Sequence, residues 1–349
     1  VTFLLCAVAW ATGPLDLAPL DPQDDASLVP APPDLPTFTD PDPDLASPYV
    51  TNGENAPAGA WPDAASVDFS CTGTLIHPRF VVTADHCTPG NQVVYVGMTS
   101  FSQITRGGQP EEGVSRAEVR RVHQLPGREY RDIALLELDQ PIRDIPPRLL
   151  AADCILEEDL YVGAEVAVVG WGATQWSGGG YTTRLQQGVT RVQTPDCADD
   201  QVRTDVGRVV TGCDPRVAPG GEIGAGGNDV DSCFGDSGGP LYLLSPRGEF
   251  LIGVTSRSYA GVPAAQPCRY GGIYTRPDAV RDWIERTIGE PLPRPVCTEI
   301  PVASAAPLAV RAGNKAKIDL TVADDGADWT VTVVTPPARG EVEIDGQHV

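Results

Sequence analysis

Short apolar runs bounded by glycine and proline set the rhythm of this chain. Val93 to Val96, Glu165 to Val169 and Leu251 to Thr255 are rich in β-branched residues and end at turn formers, which is the strand pattern of barrels and sandwiches. Phe80 to Val82 reads as a further strand, delivering His86 to a loop tied down by Cys87, and Asp132 stands at the mouth of another, Ile133 to Leu138. One helix is predicted, over Asp278 to Ile288, where Asp278 can cap and Val280, Trp283, Ile284 and Ile288 share a face. After Cys297 the alternation returns in Lys317 to Val322, Trp329 to Val334 and Glu341 to Ile344, separated by Asp-Gly and Pro-Pro turns. The expected fold class is all-β.

Composition agrees with an exported, β-rich protein. Its 349 residues carry nine Cys, 37 Gly, 34 Pro and a net charge of −22, which suits a secreted protein with long turns and argues against nucleic acid or an anionic membrane surface as a partner. Val1 to Trp10 is apolar and is followed by small residues, so residues 1–13 read as the remnant of a signal peptide, too short to span a bilayer. Residues 14–49 read as a flexible pro-segment. Between Pro14 and Pro48 lie eight Asp and ten Pro with no Lys or Arg, and such a stretch buries too little apolar surface to offset its ordering entropy.

The candidate chemistry is concentrated in Asp231 to Pro240. Ser237 lies in a turn where Gly235, Gly238 and Gly239 allow backbone angles closed to other residues and leave amide hydrogens free to point at an anion. A Ser hydroxyl is a weak nucleophile by itself, so the reading requires a base and a carboxylate elsewhere; His86 and Asp132 supply them.

His86 within Thr83 to Cys87, Asp132 within Asp132 to Leu138 and Ser237 within Asp231 to Pro240 together resemble the chymotrypsin/trypsin family of serine proteases. Val169 to Gly172, Gly272 to Thr275 and Asp278 to Ile284 match further segments of that family, and the resemblance runs from about Val50 to Gly289. It implies two packed antiparallel six-stranded barrels with a C-terminal helix over residues 50–297, and an active site in the cleft between the barrels. It implies a catalytic triad of His86, Asp132 and Ser237, with an oxyanion hole from the amides of Gly235 and Ser237. Asp231, with Ser232 beside it, takes the place of the carboxylate at the floor of a trypsin-like primary pocket, so substrates are expected to be proteins or peptides with Arg or Lys before the cut. Ser256, Ser258 and Gly272 complete the substrate-binding set. Val50 resembles the first residue of mature family members, and its amine is expected to pair with Asp236 once a zymogen is cut. The residue before Val50 is Tyr49 and the first Arg or Lys in the chain is Arg79, so an external activating protease is expected as a partner.

By the same resemblance Cys71 pairs with Cys87, Cys197 with Cys213, Cys233 with Cys268 and Cys154 with Cys297. The chain contains no CxxC pair, which argues against a metal site, and no cofactor is expected. Two departures stand out. Arg257 replaces a usual aromatic, from which a cationic cleft is expected, and Asp85 precedes the candidate base. Residues 298–349 are similar to bacterial immunoglobulin-like or cadherin-like repeats and are expected to form a partial β-sandwich-like segment, with Val349 inside a continuing strand. Two function classes follow: a secreted serine endopeptidase, or a protease-like binding or adhesion protein with little or no catalysis.

Overall fold

The computed structural model describes residues 50–297 apart from 90–91, 106, 128–130, 200, 205–206 and 218–219, together with 302–304 and 321–323. A two-residue strand, β1 (Glu54–Asn55), precedes a closed antiparallel barrel of β2 (Ala64–Val67), β3 (Cys71–His77), β4 (Phe80–Thr83), β5 (Val93–Val96), β6 (Ser115–Gln124) and β7 (Ala134–Leu138), ordered β2-β3-β4-β7-β6-β5. A second barrel is built from β8 (Glu165–Gly170), β9 (Gln186–Thr194), β12 (Glu222–Ala225), β13 (Pro240–Ser245), β14 (Gly248–Ser258) and β15 (Gly272–Thr275). Its order is β9-β12-β15-β14-β13-β8, closed by pairing of β8 with β9, and β1 adds to β9 at the outside. Between β9 and β12 the chain makes a separate hairpin, β10 (Gln201–Arg203) with β11 (Val209–Thr211). This is the all-β, two-barrel architecture expected from the sequence.

Strand alternation explains how the barrels both fill and dock. In β4, Val81 points into the first barrel with Leu75, Val94 and Leu136, whereas Phe80 and Val82 face the layer between the barrels. In β8, Val166 and Val168 fill the second barrel while Ala167 and Val169 join that same layer. Each strand therefore contributes to two cores, and the apolar runs are continuous because both faces are buried.

A turn over Asp278–Val280 leads into α1 (Arg281–Ile288), and Val280 and Ile284 bury one face against the layer between the barrels. Asp278 does not cap it. Its carboxylate is held instead by Arg276, at 2.6 Å, and Gly289 ends the helix in a left-handed conformation. The structure contains four disulfides, Cys71–Cys87, Cys154–Cys297, Cys197–Cys213 and Cys233–Cys268. Beyond them β16 (Val302–Ser304) pairs with β17 (Thr321–Ala323). The strands expected over Trp329 to Val334 and Glu341 to Ile344, and residues 1–49, lie outside the described residues.

One buried ion pair links the barrels. Asp63, 1 % exposed, receives Nη2 of Arg148 at 2.6 Å, Nε of Arg148 at 3.0 Å and the Tyr242 hydroxyl at 2.6 Å. Trp61 stacks on Tyr242 at 4.7 Å and the guanidinium lies 4.6 Å over the Tyr242 ring. Burial disfavours the Arg148 charge, but Asp63 outweighs it and pushes the guanidinium pKa up. Arg148 also bonds Glu249, at 3.0 Å, whereas removing Arg148 strands the buried Asp63 carboxylate with the Tyr242 hydroxyl, so Arg148→Ala should lower unfolding free energy by about 3–5 kcal/mol. Denaturant melts measure it; a loss below about 1 kcal/mol would contradict this reading.

Candidate active site

His86 is placed by β4, which runs into a tight turn over Asp85–Cys87 fastened by the Cys71–Cys87 disulfide. Both sulfurs near the imidazole are consumed in that bond and offer no thiolate to a metal. Asp132 sits just before β7, the strand paired with β4, so sheet register brings the two together. One oxygen of Asp132 accepts from Nδ1 of His86 at 2.7 Å and the other from the His86 backbone N–H at 3.0 Å. The Ser256 hydroxyl, from β14 of the second barrel, donates to Asp132 at 2.8 Å. Burial alone would raise the Asp132 carboxyl, but these three donors and the facing imidazole hold it below the usual carboxylate range. Such a carboxylate fixes the imidazole with Nε2 turned away from it.

Ser237 comes from the turn before β13, and this turn is clamped to the first barrel. The Ser237 carbonyl accepts from the Thr72 N–H at 2.8 Å, and the Gly235 carbonyl accepts from the Thr72 hydroxyl at 3.1 Å. Gly238 has φ of 76°, and a Cβ there would stand 2.0 Å from the Thr83 hydroxyl, so the close approach of the two barrels beside Ser237 needs a glycine. Three amides of the turn are already used: Asp236 to the Cys233 carbonyl and Gly239 to the Asp236 carbonyl within the turn, and Gly238 to the Thr255 carbonyl of β14. Those of Gly235 and Ser237 have no backbone acceptor among the described residues.

Two carboxylates lie beneath this turn. Asp236 is fully buried and accepts from the amides of Gly172 and Cys233, each at 2.9 Å; burial outweighs these bonds and pushes its pKa up to about 7. Asp231, 1 % exposed, accepts from the Gly271 amide at 2.5 Å through one oxygen, while the other has no partner among the described residues. Its burial, helped by the charge of Asp236, pushes it up to about 8. Ser232 accepts from the Tyr274 hydroxyl at 3.1 Å, and a Cβ at Gly272 would stand 3.3 Å from the Ser232 hydroxyl. Val50 is completely buried in the core of the second barrel, and Thr51 bridges to the backbone of Asp231.

The cationic cleft expected from Arg257 is corrected. Its guanidinium turns inward to the buried Glu222, at 2.7 Å, and to the Gly212 carbonyl at 2.8 Å, so its charge is neutralised beside the site. Glu222 was invisible as a partner because β12 reads as a Gly-rich acidic loop, Gly220 to Val230, rather than as the buried strand it forms. The sequence signal was a charge in each strand, Arg257 after the apolar run of β14 and Glu222 beside Ile223 in β12.

Residues 50–284 match the family model described as Trypsin. Among curated proteins, the chain is 30 % identical over 259 residues to the suppressor of tumorigenicity 14 protein homolog of Bos taurus, covering 69 % of this chain and 28 % of that protein. It is 28 % identical over 263 residues to serine protease 56 of Homo sapiens, covering 72 % of this chain and 41 % of that protein. The CLIP domain-containing serine protease C9 of Anopheles gambiae is 28 % identical over 255 residues, covering 68 % of both chains. The match thus spans less than half the length of the bovine and human relatives.

Proposed function

The chain belongs to the trypsin family and carries a serine endopeptidase domain, and from that premise we propose that it is a secreted endopeptidase that cleaves after Arg or Lys through His86, Asp132 and Ser237. The observation that supports this reading is the three-donor cage on Asp132, which holds His86 two residues after Ala84, whose amide nitrogen a Cβ at Gly238, next to Ser237, would approach to 2.9 Å. His86 takes the proton of Ser237 as its oxygen attacks the scissile carbonyl, then gives it to the leaving amine. Asp132 stabilises the imidazolium, and water repeats the sequence on the acyl-enzyme. The free amides of Gly235 and Ser237 receive the oxyanion, each such donor lowering the barrier by about 3–4 kcal/mol.

Asp231 provides the preference for a basic side chain. Buried with one oxygen unpartnered among the described residues and its pKa pushed up to about 8, it gains most from an incoming guanidinium or ammonium, which lowers that pKa and completes its hydrogen bonds. Hydrolysis of a small Arg amide, blocked by a serine-directed acylating reagent, tests the proposal; a folded chain that binds such a peptide without turning it over would favour the adhesion reading instead. Four disulfides favour an oxidising, extracellular setting, and no described helix is long and apolar enough to cross a membrane.

Asp236 supports a zymogen. Among the described residues its buried carboxylate meets two amides and no cation, and cutting between Tyr49 and Val50 supplies an amine. Since Tyr49 is not basic, the cut falls to a second protease. A carboxyl whose pKa is raised on folding stabilises the fold fully below its unfolded value near 3.8, and that contribution is lost as pH rises through about 7. The uncut Ser237→Ala chain should therefore lose melting temperature from pH 4 to pH 8 more steeply than the same chain cut before Val50. Equal slopes would contradict the pairing, and appearance of Val50 as the N-terminus after mixing uncut chain with active enzyme alone would remove the outside activator.

A further inference from the structure

Strand β14 carries an open edge of defined length beside Ser237. Next to the Ser237 turn the edge is taken: the Thr255 amide donates to the Gly239 carbonyl, and the Thr255 carbonyl accepts from the Gly238 amide, both at 2.8 Å. Beyond the bulge between Thr255 and Arg257, the Tyr259 amide turns to β15, donating to the Gly271 carbonyl at 3.4 Å. Strand groups alternate in direction, so the amides and carbonyls of Ser258 and Ala260 face the opposite edge, the one running on from Ser237.

At Ala260 that edge is taken again. Its amide donates to the Thr211 carbonyl at 2.7 Å and its carbonyl accepts from the Thr211 amide at 3.3 Å, an antiparallel pair formed by the hairpin β10–β11. The hairpin is fastened there. Arg208 donates to the Gly261 carbonyl at 2.6 Å and lies 5.1 Å over the Tyr270 ring, Arg257 holds the Gly212 carbonyl, and Cys197–Cys213 ties the two ends of the excursion. Directly after Thr211 the chain leaves the edge at Gly212, whose φ of 127° a side chain would adopt only with strain. Ser258 has no backbone partner on its outward edge among the described residues.

We propose that this hairpin caps the substrate-binding strand: Thr211 occupies the edge position that the fifth residue upstream of the cut would take, so the enzyme grips only three upstream residues as a strand. The inference rests on the endopeptidase reading above. A peptide added antiparallel to this edge, with the residue before the cut facing Ser256, sets its third upstream residue against Ser258 and its fifth against Ala260. Ala260 is already paired, and a longer peptide must lift off the sheet after its third residue. Chain length beyond that point then contributes no main-chain hydrogen bonds. The specificity of the enzyme is confined to a short motif, and the natural substrate has to present the cut in a loop whose upstream chain can turn away.

The test is a series of peptidyl-Arg amides with one to six residues before the cut, assayed on the active enzyme and on Thr211→Pro, which deletes the donor to the Ala260 carbonyl. In the wild type kcat/KM should climb through the third residue and change less than about twofold from the fourth to the sixth. In Thr211→Pro the tripeptide rate should be kept and the fifth residue should add about tenfold, the worth of a new backbone pair. A tenfold gain from the fifth residue in the wild type overturns the cap, as does a plateau in a Thr211→Pro enzyme that still turns over the tripeptide. If that variant fails on the tripeptide too, the wild-type series decides. Absence of hydrolysis at every length overturns the endopeptidase reading and the cap with it, whereas a rise without a plateau overturns the cap alone.

Discussion

Ser237→Ala should reduce kcat by a factor on the order of 10⁶ while leaving the fold in place, because in the proposed mechanism the nucleophile is one oxygen and its neighbours act only through it. The structure separates the two effects. The turn is held by its backbone, through the Ser237 carbonyl to Thr72 and the amides of Asp236, Gly238 and Gly239, and none of these bonds uses the hydroxyl. Melting temperature should stay within the range of an ordinary surface substitution, about 0.5 kcal/mol in stability. His86→Ala should cost nearly as much, and the double variant little more than either, since the residues act as a unit. Full additivity of the two losses, or turnover retained by Ser237→Ala, would assign the chemistry to other groups.

Asp231→Ser should spare the chemistry and abolish the preference for basic side chains. The carboxylate is 1 % exposed and its free oxygen has no partner among the described residues, so a guanidinium entering the pocket of the variant is desolvated without compensation. Breaking a buried pair of this kind costs about 3–5 kcal/mol, which is about 10²- to 10⁴-fold in kcat/KM for Arg and Lys substrates. Substrates with small apolar residues at that position should be unaffected or improve, because the variant removes the cost of burying an unpaired carboxylate on binding them. Stability moves the opposite way from activity. The raised pKa of Asp231 costs the fold stability as pH rises from its unfolded value of 3.8 through about 8, and the Ser variant should be more stable near pH 8 than the parent. Sequencing the cut sites in a mixed-protein digest reads the preference directly; identical sites for both enzymes would remove Asp231 from the pocket.

The strands and the three motif-bearing turns were legible because each is local. β5 and β8 stand where their β-branched runs predicted, and the apolar face of the C-terminal helix contains Val280 and Ile284 as its spacing required. What was not legible is long-range and polar. Asp63, Arg148 and Tyr242 are separated by 85 and 179 positions in the chain from Asp63, and nothing in their flanking residues says that one carboxylate serves both partners. The inward turn of Arg257 needed Glu222 in a strand that composition disguised as a loop. Asp278 has the identity of a helix cap but found a stronger partner in the guanidinium two residues before it. The hairpin at Thr211 was missed because its pairing with Ala260 depends on where two loops meet, and single-sequence periodicity carries no information on that.

If His86 makes Ser237 nucleophilic, as proposed, covalent labelling shows it most directly. The active enzyme is treated with a serine-directed phosphonylating reagent, digested and mapped by mass spectrometry, alongside His86→Ala. One adduct per chain is expected, located on the peptide that contains Ser237, appearing in step with loss of hydrolysis and slowed by several orders of magnitude in His86→Ala. An active enzyme that loses hydrolysis with the label on another residue, or that labels Ser237 equally fast without His86, would contradict it.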